Sequence, residues 1–255
     1  MATAVEFRAL SVATAQGRLL LDRVSLTLEE GTTTAIIGRS GSGKTTLLRT
    51  VNRMVEPAGG EVLVNGANVR TTNLIALRRG IGYVIQETGL FPHFTVERNV
   101  GLMLEVEGRP RPQRISRSHQ LLTTVGLDPV IFAGRFPHQL SGGQRQRVGL
   151  ARALAAEPGI LLMDEPFGAL DPLTRAEMQD MLLALLGRLR KTVLLVTHDL
   201  DEALYLADRI VFLSDGKLIA SLTPAEVRSS LLPEIQSYVR AFHRADAPAT
   251  PVRPL

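Results

Sequence analysis

The sequence contains no cysteine. This absence excludes a disulfide framework and a thiolate metal site, and it is typical of a protein in a reducing compartment. Long apolar runs are also missing, because none approaches the roughly 18 to 20 residues that a helix needs to cross a bilayer. The N-terminal segment carries Glu6 and Arg8 where a secretory signal peptide has an apolar core. We therefore expect a cytosolic chain that does not span a membrane by itself.

A clustered basic face is lacking as well. The 29 lysine and arginine residues stand against 25 acidic residues, and the two signs are interleaved along the 255-residue chain. Recognition of a nucleic acid requires basic side chains concentrated on one face. The net charge of +4 therefore favours a solvated surface, and we expect no nucleic-acid partner.

What the sequence does contain is a glycine-rich segment, GRSGSGKTT, between an apolar run and a helix-compatible segment. The spacing G-x-x-x-x-G-K-[ST] is met by Gly38, Gly43, Lys44 and Thr45. Glycines let backbone N–H groups approach phosphate oxygens, a lysine reaches the outer phosphates, and a threonine hydroxyl can bind Mg²⁺. The alternative, a flexible linker that contains a lysine, is disfavoured by the flanking strand and helix. The residues predicted to bind the phosphates of a nucleotide are Gly38, Arg39, Ser40, Gly41, Ser42, Gly43, Lys44, Thr45 and Thr46.

Apolar runs alternate with helix-compatible segments over much of the chain, which predicts an α/β fold with a parallel sheet covered on both faces. Alternating apolar positions in 5–11 and 18–28 predict an antiparallel edge at the N-terminus. Further strands are predicted at 32–37, 61–64, 81–85, 159–163, 192–197 and 209–213.

The middle of the chain lacks a strand pattern and predicts an inserted helical lobe, at about 88–157. We predict one domain over 1–240, whose core covers about 1–87 and 158–240, and a disordered tail at 241–255. The lobe is predicted to contain helices at 96–107, 116–125 and 144–156, with a stiff proline-containing loop at 108–112.

Two acidic residues, Asp164 and Glu165, directly follow the apolar run 160–163. In a buried parallel strand they emerge at the C-terminal end, where open α/β sheets bind ligands. Asp164 can hold Mg²⁺ through a water molecule, and Glu165 can orient and deprotonate an attacking water. A solvated acidic pair at a strand end is the alternative, which the phosphate-loop motif makes less favourable.

Two further polar residues, His198 and Gln86, also follow apolar strands. A neutral imidazole at His198 could donate to a γ-phosphate, although a lone histidine at a strand end is more often structural. The amide of Gln86 could contact both Mg²⁺ and the attacking water. A second glycine-containing helix start, at 141–144, leaves N–H groups that can face an anion, and a simple N-cap turn is its alternative.

Taken together, these motifs resemble those of the nucleotide-binding subunit of an ABC transporter, over about residues 5–240. The matching motifs are Walker A at 38–45, the Q-loop at Gln86, the LSGGQ signature at 140–144, Walker B with its glutamate at 160–165, the D-loop at 169–171 and the H-loop at His198. The resemblance implies a P-loop NTPase core with a mixed, largely parallel sheet, an N-terminal antiparallel β-subdomain and an inserted all-helical subdomain.

The resemblance also implies that two subunits pack head to tail. ATP held by Lys44 of one subunit is then contacted by the signature of the other, and Asp171 lies at the dimer contact. The residues implied to act in trans are Ser141, Gly142, Gly143 and Gln144. The implied catalytic residues are Glu165, His198 and Gln86, and the implied Mg²⁺ ligands are Thr45, Gln86 and Asp164, the last through water.

A narrower resemblance concerns 51–57 and 81–93, which are similar to segments of glycine betaine and choline importers. It implies import of a quaternary-ammonium osmoprotectant through separate membrane permease subunits, at the cytoplasmic face of the plasma membrane, with an extracytoplasmic solute-binding protein. An importer for another small solute, or a soluble ABC-type ATPase acting on nucleic acid or the ribosome, remains an alternative.

Two more expectations concern contacts of the subunit. The surface around 86–100, with apolar Leu90, Phe91 and Phe94, is predicted to bind the membrane subunit, unless these residues pack the lobe against the core. Members of the family usually stack the adenine on an aromatic residue, and gap-free alignment places Ala15 there. We therefore expect modest nucleotide affinity with little preference for ATP over GTP.

Overall fold

The computed structural model describes residues 2–86 and 88–245. The strands within these residues are β1 (Thr3–Ala13), β2 (Leu19–Glu29), β3 (Thr33–Ile37), β4 (Gly59–Val64), β5 (Ala67–Asn68), β6 (Ile81–Val84), β7 (Ile160–Asp164), β8 (Thr192–Thr197), β9 (Arg209–Ser214) and β10 (Lys217–Leu222). The helices are α1 (Lys44–Val51), α2 (Leu74–Arg79), α3 (Val96–Val106), α4 (Arg111–Thr124), α5 (Pro129–Phe132), α6 (Gly142–Leu154), α7 (Pro172–Leu189), α8 (Leu200–Leu206), α9 (Pro224–Ser229) and α10 (Pro233–Ala245), with a 3₁₀ turn at Pro137–Gln139.

The larger sheet has the strand order β10-β9-β3-β8-β7-β6. All its pairs are parallel except β9 with β10, which is antiparallel. Every residue of β3, β7 and β8 is buried, because side chains on both faces of these central strands meet a hydrophobic core. The predicted mixed, largely parallel sheet is confirmed.

The smaller sheet is antiparallel and has the order β2-β1-β4-β5. Along β2, buried Val24, Leu26 and Leu28 alternate with exposed residues, so one face of the sheet packs on the core and the other faces solvent. Asn65 and Gly66 both have positive φ, which suits the tight hairpin that joins β4 to β5. The predicted N-terminal antiparallel β-subdomain is confirmed.

The inserted lobe contains α3 to α6, and its described residues form no strand. Its apolar side chains join those of β7, β8 and α7 in one buried cluster, which anchors the lobe to the sheet. The division at about 88 and 157 stays a prediction.

Some elements differ from the sequence-based predictions. The loop predicted at 108–112 is partly helical, because α4 already begins at Arg111 with Pro112 in its first turn, where proline costs no hydrogen bond. Helices α2, α5, α8, α9 and α10 and strands β5 and β10 had not been predicted. Of the predicted tail, residues 241–245 continue α10, and 246–255 lie outside the described residues.

Candidate nucleotide site

The residues predicted to carry chemistry converge at one edge of the larger sheet. Strands β3, β8, β7 and β6 are neighbours and run parallel, so their C-terminal ends lie side by side. The glycine-rich loop follows β3, His198 follows β8, the Asp164–Glu165 pair ends β7, and Gln86 follows β6. Such an edge is where open α/β sheets bind ligands.

Lys44 opens α1 and its side chain is buried, with 7% of the residue exposed. Its Nζ donates to the carbonyl oxygens of Gly38 at 2.8 Å and Arg39 at 3.0 Å, so the ammonium stays inside the curve of the loop. Burial lowers the pKa of Lys44, while the negative charges of Glu165 and Asp164 oppose that shift. The ammonium group of Lys44 is thus already positioned to bind a phosphate group.

The loop requires glycine at two positions for steric reasons. A Cβ on Gly38 would lie 2.3 Å from the Leu213 carbonyl oxygen and from Ser42 Oγ. Gly43 has a φ of 101°, and its Cβ would lie 2.7 Å from Leu21 Cδ2. The helix that follows has no side-chain cap, so its first N–H groups can bind an anion.

The carboxylate of Asp164 receives several donors. Thr45 Oγ1 donates to Oδ1 at 2.8 Å, and Tyr83 OH donates to Oδ2 at 3.2 Å. The guanidinium of Arg49 lies 3.5 Å from Oδ2 and also donates to Tyr83 OH. Sequence analysis did not identify Arg49 or Tyr83 as site residues. Arg49 lies one helical turn after Thr45, so the two residues share one face of α1.

The pairing of Thr45 with Asp164 fits a Mg²⁺ site. Both supply hard oxygen atoms, and they meet beside the lysine that would hold the phosphates. The described residues contain no group of three or more histidine, cysteine or acidic side chains suited to a metal. Mg²⁺ takes one or two protein oxygens and completes its shell with phosphates and water.

Glu165 faces His198 across the ends of β7 and β8. Its carboxylate lies 3.4 Å from His198 Nδ1. The backbone of Glu165 is left-handed, with φ 46°, and its N–H donates to the Val196 carbonyl oxygen at 2.9 Å. A non-glycine residue in that conformation is strained, and such strain is often found where a side chain must be aimed at a site. Side-chain exposures of 24% for Glu165 and 62% for His198 leave both open to a substrate.

Gln86 lies exposed in the loop that follows β6, and no hydrogen bond among the described residues joins it to Asp164 or Glu165. Its neighbour Glu87 lies outside those residues. Arg152 of α6 holds the next part of the loop, since it donates to the carbonyl oxygens of Thr88 at 2.6 Å and Gly89 at 2.7 Å. Burial lowers the pKa of Arg152, whose role the sequence did not reveal.

The signature segment caps the start of its own helix and packs against α7. Ser141 caps α6 by accepting from Gln144 N at 3.2 Å, and Gln144 Oε1 accepts from Ser141 N at 3.0 Å. Gly143 packs closely on α7, because its Cβ would lie 2.4 Å from Thr174 Cγ2. Across residues 2–86 and 88–245, no hydrogen bond or ion pair joins 141–144 to 38–46.

Asp171 caps α7 by accepting from Thr174 N at 3.0 Å, and the hydrogen bonds with Thr174 lower its pKa. The side chain is exposed, so it remains open to a further contact. Direct contacts thus join Thr45 to Asp164 and Glu165 to His198, whereas no hydrogen bond or ion pair among the described residues joins the signature or Asp171 to the phosphate loop.

Comparison with known proteins agrees with this arrangement. The ABC transporter family matches residues 21–168, which is more than half of the chain. The chain is 46% identical over 211 residues to the choline transport ATP-binding protein OpuBA of Bacillus subtilis. It is 44% identical to the osmoprotectant import ATP-binding protein OsmV of Salmonella typhimurium and 41% identical to the glycine betaine uptake system ATP-binding protein YehX of Escherichia coli. The chain belongs to the ABC transporter family.

The extent of these matches differs. The matched part covers 83% of this chain but 55% of OpuBA, and 81% of this chain but 54% of OsmV. The chain thus spans about half the length of these two relatives, whereas the match covers 80% of YehX.

Solved structures show the same fold. The dimeric structures of the ATP-binding cassette MJ0796, one of them bound to ADP and phosphate after hydrolysis, match with a TM-score of 0.77 at 34% identity. They cover 86% of this chain and 98% of the cassette. Separately, none of the helices in the described part of the chain is long and apolar enough to cross a membrane.

Proposed function

We propose that this chain is the ATP-hydrolysing subunit of an importer for a quaternary-ammonium osmoprotectant. The observation that supports it best is the convergence of a buried lysine, a hydroxyl–carboxylate pair and a glutamate–histidine pair at one sheet edge. The names of the relatives support the choline and glycine betaine class of solute. In the alternative, an importer of another small solute, ATP hydrolysis at this site follows the same steps.

Each residue at this sheet edge has its own role in ATP hydrolysis. Lys44 and the N–H groups of the loop hold the phosphates, which places the γ-phosphate at the edge that carries Glu165. Thr45, Asp164 and Gln86 would hold a Mg²⁺ ion, whose charge would offset that of the phosphates. Glu165 accepts the proton of the attacking water on its carboxylate, and His198 orients Glu165 and donates to the γ-phosphate.

Dimerisation completes the site in this proposal. The signature of one subunit lies at a helix start, and such a start favours a bound phosphate. Head-to-tail pairing of two chains would place that helix start on ATP held by the partner. The pair would bind two permease subunits at the cytoplasmic face of the membrane, and a solute-binding protein would deliver the substrate from outside.

A groove between the sheet core and the helical lobe is suited to a permease helix. It has a volume of about 480 Å³ and is lined by Met54, Tyr83, Phe91, Leu102 and Met103 among others. Met54 and Phe91 are 57% and 47% exposed, which is unusual for large apolar side chains that share one concave surface. A short amphipathic helix with an apolar face would fill this groove.

The phenylalanine to test in this groove is Phe91 rather than Phe94. Phe94 is half-buried, stacks on Phe91 at 5.2 Å between ring centroids, and lies under the Arg98 guanidinium at 3.9 Å. Leu90 packs against the core of the lobe. Leu90 and Phe94 of the predicted surface thus pack within the lobe, whereas Phe91 lines the groove.

Phe91→Asp is expected to abolish solute uptake while the purified subunit keeps its basal ATPase rate, because the change affects the groove and leaves the sheet edge intact. Uptake of labelled glycine betaine and choline by cells carrying the whole transporter, together with phosphate release by the isolated chain, checks this. Val130→Asp, at a fully exposed apolar position outside the groove, is the matched control. Normal uptake with Phe91→Asp would contradict the docking proposal.

Ala15→Tyr is expected to tighten ATP binding by about fivefold to a hundredfold, which is the value of one base–aromatic stack. Ala15 is exposed in the turn between β1 and β2, and β2 then passes the phosphate loop, where Leu20 and Leu21 lie against Gly43. Kd values for ATP and GTP measure the effect.

Gln16→Tyr places the same ring one residue away in the same turn and serves as the control. An equal gain in both variants would mean that any aromatic residue in the turn helps. A strong preference of the wild type for ATP would show that another group already holds the adenine.

A further inference from the structure

Glu202 is a buried carboxyl group close to the site. It lies in the first turn of α8, four residues after His198, and only 5% of it is exposed. Its Oε2 accepts from Thr197 Oγ1 at 3.0 Å, and its Oε1 is buried without a hydrogen-bond partner among the described residues. A buried carboxyl with a free oxygen is costly in its ionised form.

Glu202 closes a small ring of hydrogen bonds around the turn that carries His198. The Thr197 hydroxyl, which donates to Glu202, also accepts from Asp199 N at 3.0 Å. Asp199 in turn caps α8, since its Oδ1 accepts from Glu202 N at 3.2 Å. The turn 197–199 is therefore held from both sides, and His198 is its exposed member.

Charged groups on three elements face Glu202. Asp199 at the start of α8 and Glu165 after β7 are negative and disfavour a further carboxylate, whereas Arg175 of α7 favours one. Burial is the largest effect, and together these influences raise the pKa of Glu202 to about 8. At neutral pH the group is thus mainly a neutral acid.

We propose that Glu202 is a positioning residue, which holds the turn Thr197–Asp199 through its hydrogen bonds with Thr197 and Asp199 and thereby keeps His198 against Glu165. This inference rests on the proposed ATPase function for its kinetic consequence, although the ring of hydrogen bonds is independent of it. The role is indirect, because Glu202 touches the turn and neither the nucleotide nor the water.

If Glu202 has this role, the rate of hydrolysis and the stability of the fold both depend on pH. Ionisation of Glu202 adds a buried negative charge near Glu165 and Asp199, and the carboxylate can regain water only if the turn opens. Hydrolysis is therefore expected to fall as the pH rises through about 8. For stability, a raised pKa means that the folded state binds more protons than the unfolded state between pH 4.5 and about 8, so stability falls across that window.

The test compares three variants over pH 6 to 9. Glu202→Gln keeps an oxygen acceptor for Thr197 and cannot ionise, whereas Glu202→Ala removes the acceptor. Glu226→Gln is the matched control, because Glu226 also lies in the first turn of a helix and caps its start, but is exposed and has a lowered pKa. Phosphate release and melting temperature are measured for each.

We expect Glu202→Gln to keep a wild-type kcat at pH 7, and its kcat should not fall as the pH rises through about 8. Its melting temperature relative to that of the wild type should increase as the pH rises. Glu202→Ala should lose about tenfold or more in kcat at every pH, since a misplaced catalytic group is costly even at small displacement. Glu226→Gln should follow the wild-type profile.

Two results would overturn the proposal. Loss of kcat in Glu202→Gln equal to that in Glu202→Ala, with both variants folded, would mean that the ionised carboxylate is what acts. If the kcat of Glu202→Gln still fell at alkaline pH as it does in the wild type, another titrating group would be responsible for the fall. If the wild type hydrolyses no ATP, the proposed function fails, but the melting temperatures still decide whether Glu202 is neutral when buried.

Discussion

Glu165→Gln is expected to abolish steady-state ATP hydrolysis and leave ATP binding intact. The amide keeps the size of the side chain and removes the carboxylate that lies 3.4 Å from His198 Nδ1. Loss of a general base typically lowers a rate by about 10²- to 10⁴-fold. The Kd for ATP should change little, because we propose that the phosphates are bound by Lys44 and the phosphate loop, which the substitution leaves unchanged. Phosphate release and equilibrium nucleotide binding measure the two quantities.

The same variant should accumulate as an ATP-bound dimer, since closure on the nucleotide would no longer be followed by cleavage. Size-exclusion chromatography with and without ATP and Mg²⁺ detects that species. Glu30→Gln, at an exposed position after β2, controls for the loss of one negative charge. Near wild-type turnover in Glu165→Gln would show that Glu165 is not the base.

Much of the site could be predicted from sequence because its residues are local to strand ends. Strand β8 runs from Thr192 to Thr197, as predicted, so the position of His198 follows from an apolar run of known length. Strand β7 runs from Ile160 to Asp164, one residue later than predicted, so Asp164 ends the strand and Glu165 follows it. Parallel strands end at one edge, and this geometry alone brings together motifs that lie more than a hundred residues apart.

The residues that support the site could not be found this way. Glu202 stands in the pattern DLDEAL, which is typical of an exposed helix start, yet in the folded chain it is buried and bonds Thr197 at the end of β8. Arg152 looks like one of many surface arginines, yet it bonds two carbonyl groups in a loop 63 and 64 residues earlier. Burial and partners at such separations depend on the tertiary fold and leave no local signal.

The signature posed a different problem for prediction from sequence. Its capping hydrogen bonds fit the simple N-cap interpretation, and within residues 2–86 and 88–245 no hydrogen bond or ion pair joins it to the phosphate loop. Capping and phosphate binding are compatible, because Ser141 uses its side chain for the cap and the helix start retains other N–H groups. Whether the segment acts in trans is therefore a question for two chains.

A heterodimer with one inactivating change in each chain should regain activity. Lys44→Ala removes the phosphate cation, and Gly142→Glu places a bulky negative group at the signature. Gly142 is the better choice there, because its Cβ would make an ordinary 3.7 Å contact with Leu170, whereas Gly143 has no room for one. A glutamate in the first turn also suits α6, so the fold should persist.

In a head-to-tail dimer, the two changes of this heterodimer fall in the same composite site and leave the other site intact. Tandem-affinity purification of the Lys44→Ala and Gly142→Glu pair should therefore yield about half of the wild-type ATPase rate, as one of two symmetric sites works. The matched control pairs a wild-type chain with one that carries both changes, which damages both sites and should be inactive. If each chain instead formed its own complete site, the control pair would be active and the test pair inactive, so the two arrangements give opposite results.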